Sequence, residues 1–163
     1  MASPPPRAVN LGLQMARIKA VLPEAEVTVH RGELVCIAFL QPNAMCKRYT
    51  ARIVYRHGCR PRVTIIDPPL ELAPGAEALP HVYGDGELCL YLPGEWQESM
   101  LLADTILPWT SEWLLHYEWW LVTGHWSGSG HDHPAPQPTD EIECPNSTLL
   151  AADANNAINP REV

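Results

Sequence analysis

Four short runs rich in β-branched and aromatic residues stand close together in the first half of the chain. They cover residues 27–29, 34–40, 49–55 and 62–66, and their composition is typical of β-strands. The segments between them are short and carry Gly, Pro and Asn, which favour turns. Because parallel strands need crossovers of roughly a dozen residues or more, this spacing predicts an antiparallel four-stranded meander.

Apolar residues at helical spacing lie on both sides of this predicted sheet. The pattern over residues 8–22 predicts an amphipathic opening helix. Further along, residues 97–107 predict a second helix that ends before Pro108, and a third helix is predicted from residue 110 or 111 to Gly124. The aromatic stripe of the third helix is interpreted as core packing rather than a cofactor site.

Length and composition favour one globular domain followed by a tail. The chain has 163 residues, of which 46% are hydrophobic, enough for one core. No run approaches the roughly 20 apolar residues that span a bilayer, and the first residues lack a signal-peptide core, so a cytoplasmic protein without membrane association is expected. Residues 134–163 are poor in large apolar residues, which predicts an acidic, disordered tail after a domain over residues 1–133.

Charge is distributed unevenly along the chain. Ten of the eleven Lys and Arg lie in residues 7–62, whereas residues 63–163 hold sixteen of the nineteen acids. Arg48, Arg52 and Arg56 alternate with other side chains, as on the solvated face of a strand, although a docking face for an acidic partner is the alternative. No basic–aromatic array repeats, so nucleic acid is not an expected partner.

A loop with two glycines precedes Cys89. Gly84 and Gly86 flank Asp85 and allow the positive φ values of a tight turn, so the thiol is expected to be held in place. Carboxylates lower the thiolate fraction of a neighbouring cysteine. With Asp85 and Glu87 close in sequence, Cys89 suits an acyl carrier better than an acidified protease thiol.

The other cysteines are interpreted as structural. The five cysteines are an odd number without a CxxC pair, which favours reduced thiols over a disulfide framework or a zinc knuckle. A zinc site is a weak alternative because its histidines bracket a Gly/Ser loop, so no cofactor and no metal is predicted. The cysteines concerned are Cys36, Cys46 and Cys59, and the weak zinc set is His125, His131, His133 and Cys144.

The run from Pro80 to Leu90 resembles the active-site segment of ubiquitin-conjugating (E2) enzymes, whose pattern is His-Pro-Asn-Val-Tyr-x-Asp-Gly-x-Ile-Cys-Leu. Trp96 follows the cysteine as the tryptophan of that family does. The resemblance implies an α+β, E2-like fold: an N-terminal helix, a four-stranded antiparallel meander, an active-site cysteine loop and C-terminal helices.

The same resemblance implies roles for individual residues. Cys89 is the implied acyl acceptor, and Trp96 is expected to pack on the far side of the site. His81 stands where the family has asparagine; it can donate a hydrogen bond and exchange a proton near neutral pH. The loop is shaped by Tyr83, Gly84, Asp85 and Gly86. An acid that orients an acceptor lysine cannot be chosen among Asp85, Glu98 and Asp104.

Residues 81–96, 102–109 and 113–124 together resemble the bacterial E2-like proteins of short type II CBASS antiphage operons. This implies a cysteine acyltransferase that forms a thioester with the C-terminus of a cGAS-like nucleotidyltransferase, priming or regulating cyclic-nucleotide synthesis. A separate E1-like enzyme activates the donor, unless the reaction is one that an unassisted thiol can perform. A catalytically silent E2-variant scaffold and a thiol hydrolase that processes the partner's C-terminal tail are the alternatives.

Overall fold

The computed structural model describes residues 7–128, and the predicted tail lies outside them. The described chain contains two helices and four strands. In chain order they are α1 (Leu11–Val21), β1 (Glu26–His30), β2 (Glu33–Leu40), β3 (Tyr49–Arg56), β4 (Arg62–Asp67) and α2 (Ile106–Thr123).

The strands form one antiparallel sheet in the order β1-β2-β3-β4, which confirms the predicted meander and the α+β class. The turn between β1 and β2 has positive φ at both Arg31 and Gly32. Two consecutive residues of that kind match the right-handed twist of the flanking strands. Chain-neighbouring strands therefore pair directly.

One face of the sheet builds the core. Buried and partly exposed side chains alternate along β2, as expected when one face of a strand packs inward. The buried face of the sheet packs with side chains of both helices in a single hydrophobic cluster, which includes Ile18 from α1 and Leu114 from α2. The sheet residues of this face are Leu34, Cys36, Ala38, Leu40, Tyr49, Ala51, Ile53, Tyr55 and Val63.

Helix α1 is fixed at its start and along its buried face. The Asn10 side chain accepts a hydrogen bond from Gly12 N at 2.7 Å, as an N-cap residue does. Gln14, fully buried, donates to Met100 O at 2.9 Å and accepts from Leu102 N at 2.8 Å. This side chain ties α1 to the segment that leads into α2.

The predicted helix over 97–107 is wrong. Tertiary hydrogen bonds take the backbone groups that a helix would use, because Glu98 O accepts from Val9 N and Leu102 N donates to Gln14. The segment forms turns instead. Helix α2 begins at Ile106, earlier than predicted, with Pro108 in its first turn, where a missing N–H costs nothing because it would have no partner.

The predicted end of α2 is confirmed. Gly124 adopts a left-handed conformation with φ 71° and its N–H donates to Trp120 O. One helix therefore follows the sheet within residues 7–128, and no helix in that range combines the length and apolar character needed to cross a bilayer.

Candidate functional site: the Cys89 cleft

The cysteine loop, residues 81–90, folds back on itself. Val82 and Leu88 form an antiparallel bridge, and Tyr83 N donates to Glu87 O at 2.8 Å. A tight turn closes the loop, with Gly86 N donating to Tyr83 O at 2.9 Å and Gly86 at φ 83°. Of the two loop glycines, Gly86 is the one with positive φ, so the conformation depends on it.

Two contacts anchor this loop to the fold. Leu88 is buried and its N–H donates to Val63 O at 2.8 Å on β4. The His81 carbonyl accepts from Cys89 N at 2.9 Å and from the Trp113 indole at 3.1 Å. His81 thereby lies directly opposite Cys89 and is bonded to α2. It has a positive φ of 51°, a conformation that is uncommon outside glycine.

The carboxylates that neighbour Cys89 in sequence are both engaged. Glu87 is buried, and its carboxylate pairs with Arg60 at 2.6 Å and Arg62 at 3.5 Å. Burying a carboxylate requires partners of this kind. Asp85 accepts from Glu87 N at 3.2 Å. Both acids are close to Cys89 in sequence, but the charge of Glu87 is matched by two arginines.

Cys89 differs from the other free thiols. Cys36 and Cys46 are buried, whereas Cys89 is partly exposed. Burial raises the pKa of Cys36 to about 11, which removes it from thiolate chemistry near neutral pH. Cys59 carries a disulfide bond, so the expectation of reduced cysteines is wrong there. Among the free cysteines of residues 7–128, Cys89 is the one that is not buried.

The Cys89 thiol opens into a small cleft of about 120 Å³. The cleft has one wall from the cysteine loop, one from α2 and one from the residues that follow α2. The residues that line the cleft are His81, Cys89 and Leu90 from the loop, Trp109, Glu112, Trp113 and His116 from α2, and Trp126 and Gly128 after α2. We call this site the Cys89 cleft.

Trp126 packs against the rings of His81, Trp113 and His116, and we call these four rings the aromatic wall of the cleft. Its ring centroid lies 4.8 Å from that of His81, 5.5 Å from Trp113 and 5.8 Å from His116.

The sequence pattern did not single out Trp126, Glu112 or His116. The available signals were the i, i+4 spacing of Glu112 and His116 on a helix and an aromatic residue just beyond the Gly124 stop.

The predicted site residues do not all meet at Cys89. His81 shares the cleft with it, whereas Tyr83 and Trp96 line a neighbouring cavity of about 430 Å³. The Trp96 ring packs edge-on against Tyr55 at 5.3 Å, and its buried indole N–H has no hydrogen-bond partner within residues 7–128. In the Cys89 cleft, the tryptophans are Trp109, Trp113 and Trp126.

The three acids considered for an acceptor lysine have other partners. Asp104 pairs with Arg17 at 3.0 Å, and the Glu98 carboxylate accepts from Gly58 N and from the Tyr55 hydroxyl. The Asp85 carboxylate accepts a hydrogen bond from Glu87 N within its own loop. The acid that lines the Cys89 cleft is Glu112 instead.

Comparison with known proteins agrees with this architecture. No curated protein matches the chain. A family model described as "Type II CBASS E2 protein" matches residues 14–134, a range that contains the whole sheet, the cysteine loop and α2. The chain belongs to this family of E2-like proteins of CBASS systems.

Proposed function

We propose that the protein is an E2-like cysteine acyltransferase of an antiphage system, which forms a thioester through Cys89 with the C-terminus of a cGAS-like nucleotidyltransferase. The observation that carries the proposal is the partly exposed Cys89 thiol, held opposite His81 in an open cleft. A thiol needs access to its substrate and a polar neighbour for acyl transfer. The family assignment supports a conjugation role.

The proposed reaction is a thioester exchange. The Cys89 thiolate attacks the activated carbonyl carbon at the partner's C-terminus and forms a C–S bond. The bond to the leaving group breaks, and a thiol of a separate E1-like enzyme leaves with the proton that Cys89 lost. His81 is the proposed donor to the oxyanion that develops on the carbonyl oxygen. A preorganised donor of this kind contributes about 10²-fold or more in rate.

The fixed conformation of the cysteine loop supports a carrier role. The buried Glu87 carboxylate is paired with Arg60 and Arg62. Leu88 is buried, and the backbone of the loop makes hydrogen bonds to Val63 O and to the Trp113 indole. A thiol in a fixed position suits a group that accepts an acyl chain and passes it on.

Coexpression with the proposed partner nucleotidyltransferase and an E1-like enzyme, followed by non-reducing electrophoresis and intact mass spectrometry, tests the proposal. We expect an adduct that dithiothreitol releases and that Cys89→Ala abolishes. Cys46→Ala, which alters a buried cysteine, is the matched control and should retain the adduct.

Other outcomes of this experiment, and a phage-challenge assay of the same variants, separate the alternatives. An adduct that persists in Cys89→Ala would refute the assignment of the acyl acceptor. Cleavage of the partner's tail without an adduct would indicate a hydrolase. Antiphage protection that survives Cys89→Ala would indicate a scaffold.

A further inference from the structure

A second histidine, His116, also lines the Cys89 cleft. His116 lies one helical turn after Glu112 on α2, and its Nε2 is 3.8 Å from the Glu112 carboxylate. Its Nδ1 is 3.0 Å from the Ser127 hydroxyl. Both ring nitrogens therefore face a polar group, and Cys89 lines the same cleft.

The imidazole is held in position by its surroundings. The His116 side chain is 22% exposed, and the Trp126 ring packs at 5.8 Å. At Gly128 an added Cβ would come within 3.0 Å of His116 Cδ2 and 2.6 Å of Trp126 Nε1. The backbone after α2 thus closes on both rings, and glycine at 128 permits that approach. A fixed imidazole loses little freedom when it acts on a bound substrate.

We propose that His116 is the general base that takes the proton of an acceptor amine as the amine attacks the Cys89 thioester, with Glu112 as its positioning residue. The inference rests on the proposed function, because it concerns discharge of the acyl group that Cys89 is proposed to carry. The acceptor class is a primary amine, such as a lysine side chain. In this state Nδ1–H donates to Ser127, which leaves Nε2 to accept the proton.

The step balances without any further reagent. The amine nitrogen forms a bond to the carbonyl carbon, the bond between that carbon and Sγ of Cys89 breaks, and an amide results. The proton lost by the nitrogen moves to His116 Nε2, and from there it returns to the departing Cys89 thiolate. The Glu112 carboxylate stabilises the imidazolium while it exists.

The polar groups around His116 come from three parts of the chain. Glu112 faces it from α2, and the cysteine loop brings His81 and Cys89 to the same cleft. Ser127 is the polar contact from the residues after α2. Removal of the Glu112 charge should slow discharge, because the imidazolium that forms in the step loses its counter-charge.

The test loads Cys89 chemically and times its discharge. N-acetylglycine benzyl thioester is the loading probe, since thiol exchange transfers its acyl group without an activating enzyme, and intact mass spectrometry follows the adduct. The acceptor is aminoacetonitrile, a weakly basic amine that stays neutral over the range tested, so that the pH profile reports on the protein. His30→Gln, at an exposed histidine at the end of β1, is the control.

We expect wild-type discharge to rise with pH, because only neutral imidazole accepts a proton. His116→Gln should load normally and discharge about a hundredfold more slowly, with a flattened profile. Glu112→Gln should slow discharge about fivefold, as suits a largely exposed charge. Added imidazole should restore discharge in His116→Ala.

Two results would overturn the inference. If His116→Gln loads and then discharges with the rate and pH profile of wild type, His116 is not the base, although the thioester proposal stands. If wild-type Cys89 does not load from the probe, the proposed function fails together with this inference. His30→Gln should match wild type in both steps.

Discussion

Gln14 offers a direct measure of how strongly α1 holds the segment before α2. In Gln14→Leu, the buried amide of Leu102 loses its acceptor and the carbonyl of Met100 loses its donor. Leu102 is fully buried, so its unpaired N–H costs about 2 kcal/mol. Met100 is partly exposed, and water limits its loss to about 1 kcal/mol.

The added apolar surface of leucine contributes about 1 kcal/mol of stabilisation, so the free energy of unfolding should fall by about 2 kcal/mol. Urea unfolding followed by tryptophan fluorescence measures this loss, and hydrogen exchange at the Leu102 amide should quicken. Gln41→Leu is the matched control, because Gln41 also donates to a backbone carbonyl at 2.9 Å but is exposed; it should lose less than about 1 kcal/mol. Equal losses in the two variants would refute the reasoning.

Three further outcomes are expected from the site. Gly86→Ala should lose about 1–2 kcal/mol in urea unfolding because Gly86 has positive φ, whereas Gly84→Ala should lose less; the reverse order would contradict the loop geometry. Iodoacetamide at pH 8 should modify Cys89 before Cys36, as peptide mass spectrometry would show, because burial raises the Cys36 pKa to about 11; modification of Cys36 first would be inconsistent with this. Trp126→Ala should raise the labelling rate of Cys89 several-fold by opening the aromatic wall, and an unchanged rate would show that Trp126 does not restrict access.

The sheet was predictable because its information is local. Runs of β-branched and aromatic residues separated by short turn segments mark the strands locally. The inward face of β2 is not evident from its sequence, because Leu34 and Cys36 are buried whereas the equally apolar Val35 between them is only partly buried. The Arg31-Gly32 turn fixes register at short range. The failure over 97–107 has the opposite cause, because the partners that replace helical bonds there come from Val9 and Gln14, far away in sequence.

The same distinction holds at the candidate site. His81 and Cys89 are joined by a short loop, and a local motif was enough to bring them into consideration. Glu112, His116 and Trp126 reach the cleft only because α2 packs beside that loop, through the bond between Trp113 and the His81 carbonyl. No local pattern specifies such a contact, and the sequence of α2 has the apolar and aromatic pattern of an ordinary core helix.

The charge asymmetry of the chain has a structural consequence close to Cys89. Arg60 and Arg62, at the end of the basic half, reach across to Glu87 in the acidic half. A carboxylate that lies two residues from Cys89 in sequence is thus compensated by cations. Glu112, which is twenty-three residues away by its number, keeps a largely exposed carboxylate next to a histidine in the same cleft. The two acids therefore differ in position, because Glu112 lines the cleft whereas Glu87 is buried and paired with arginines. For this reason substitutions at Glu112 should affect acyl discharge, while substitutions at Glu87 should act first on loop stability.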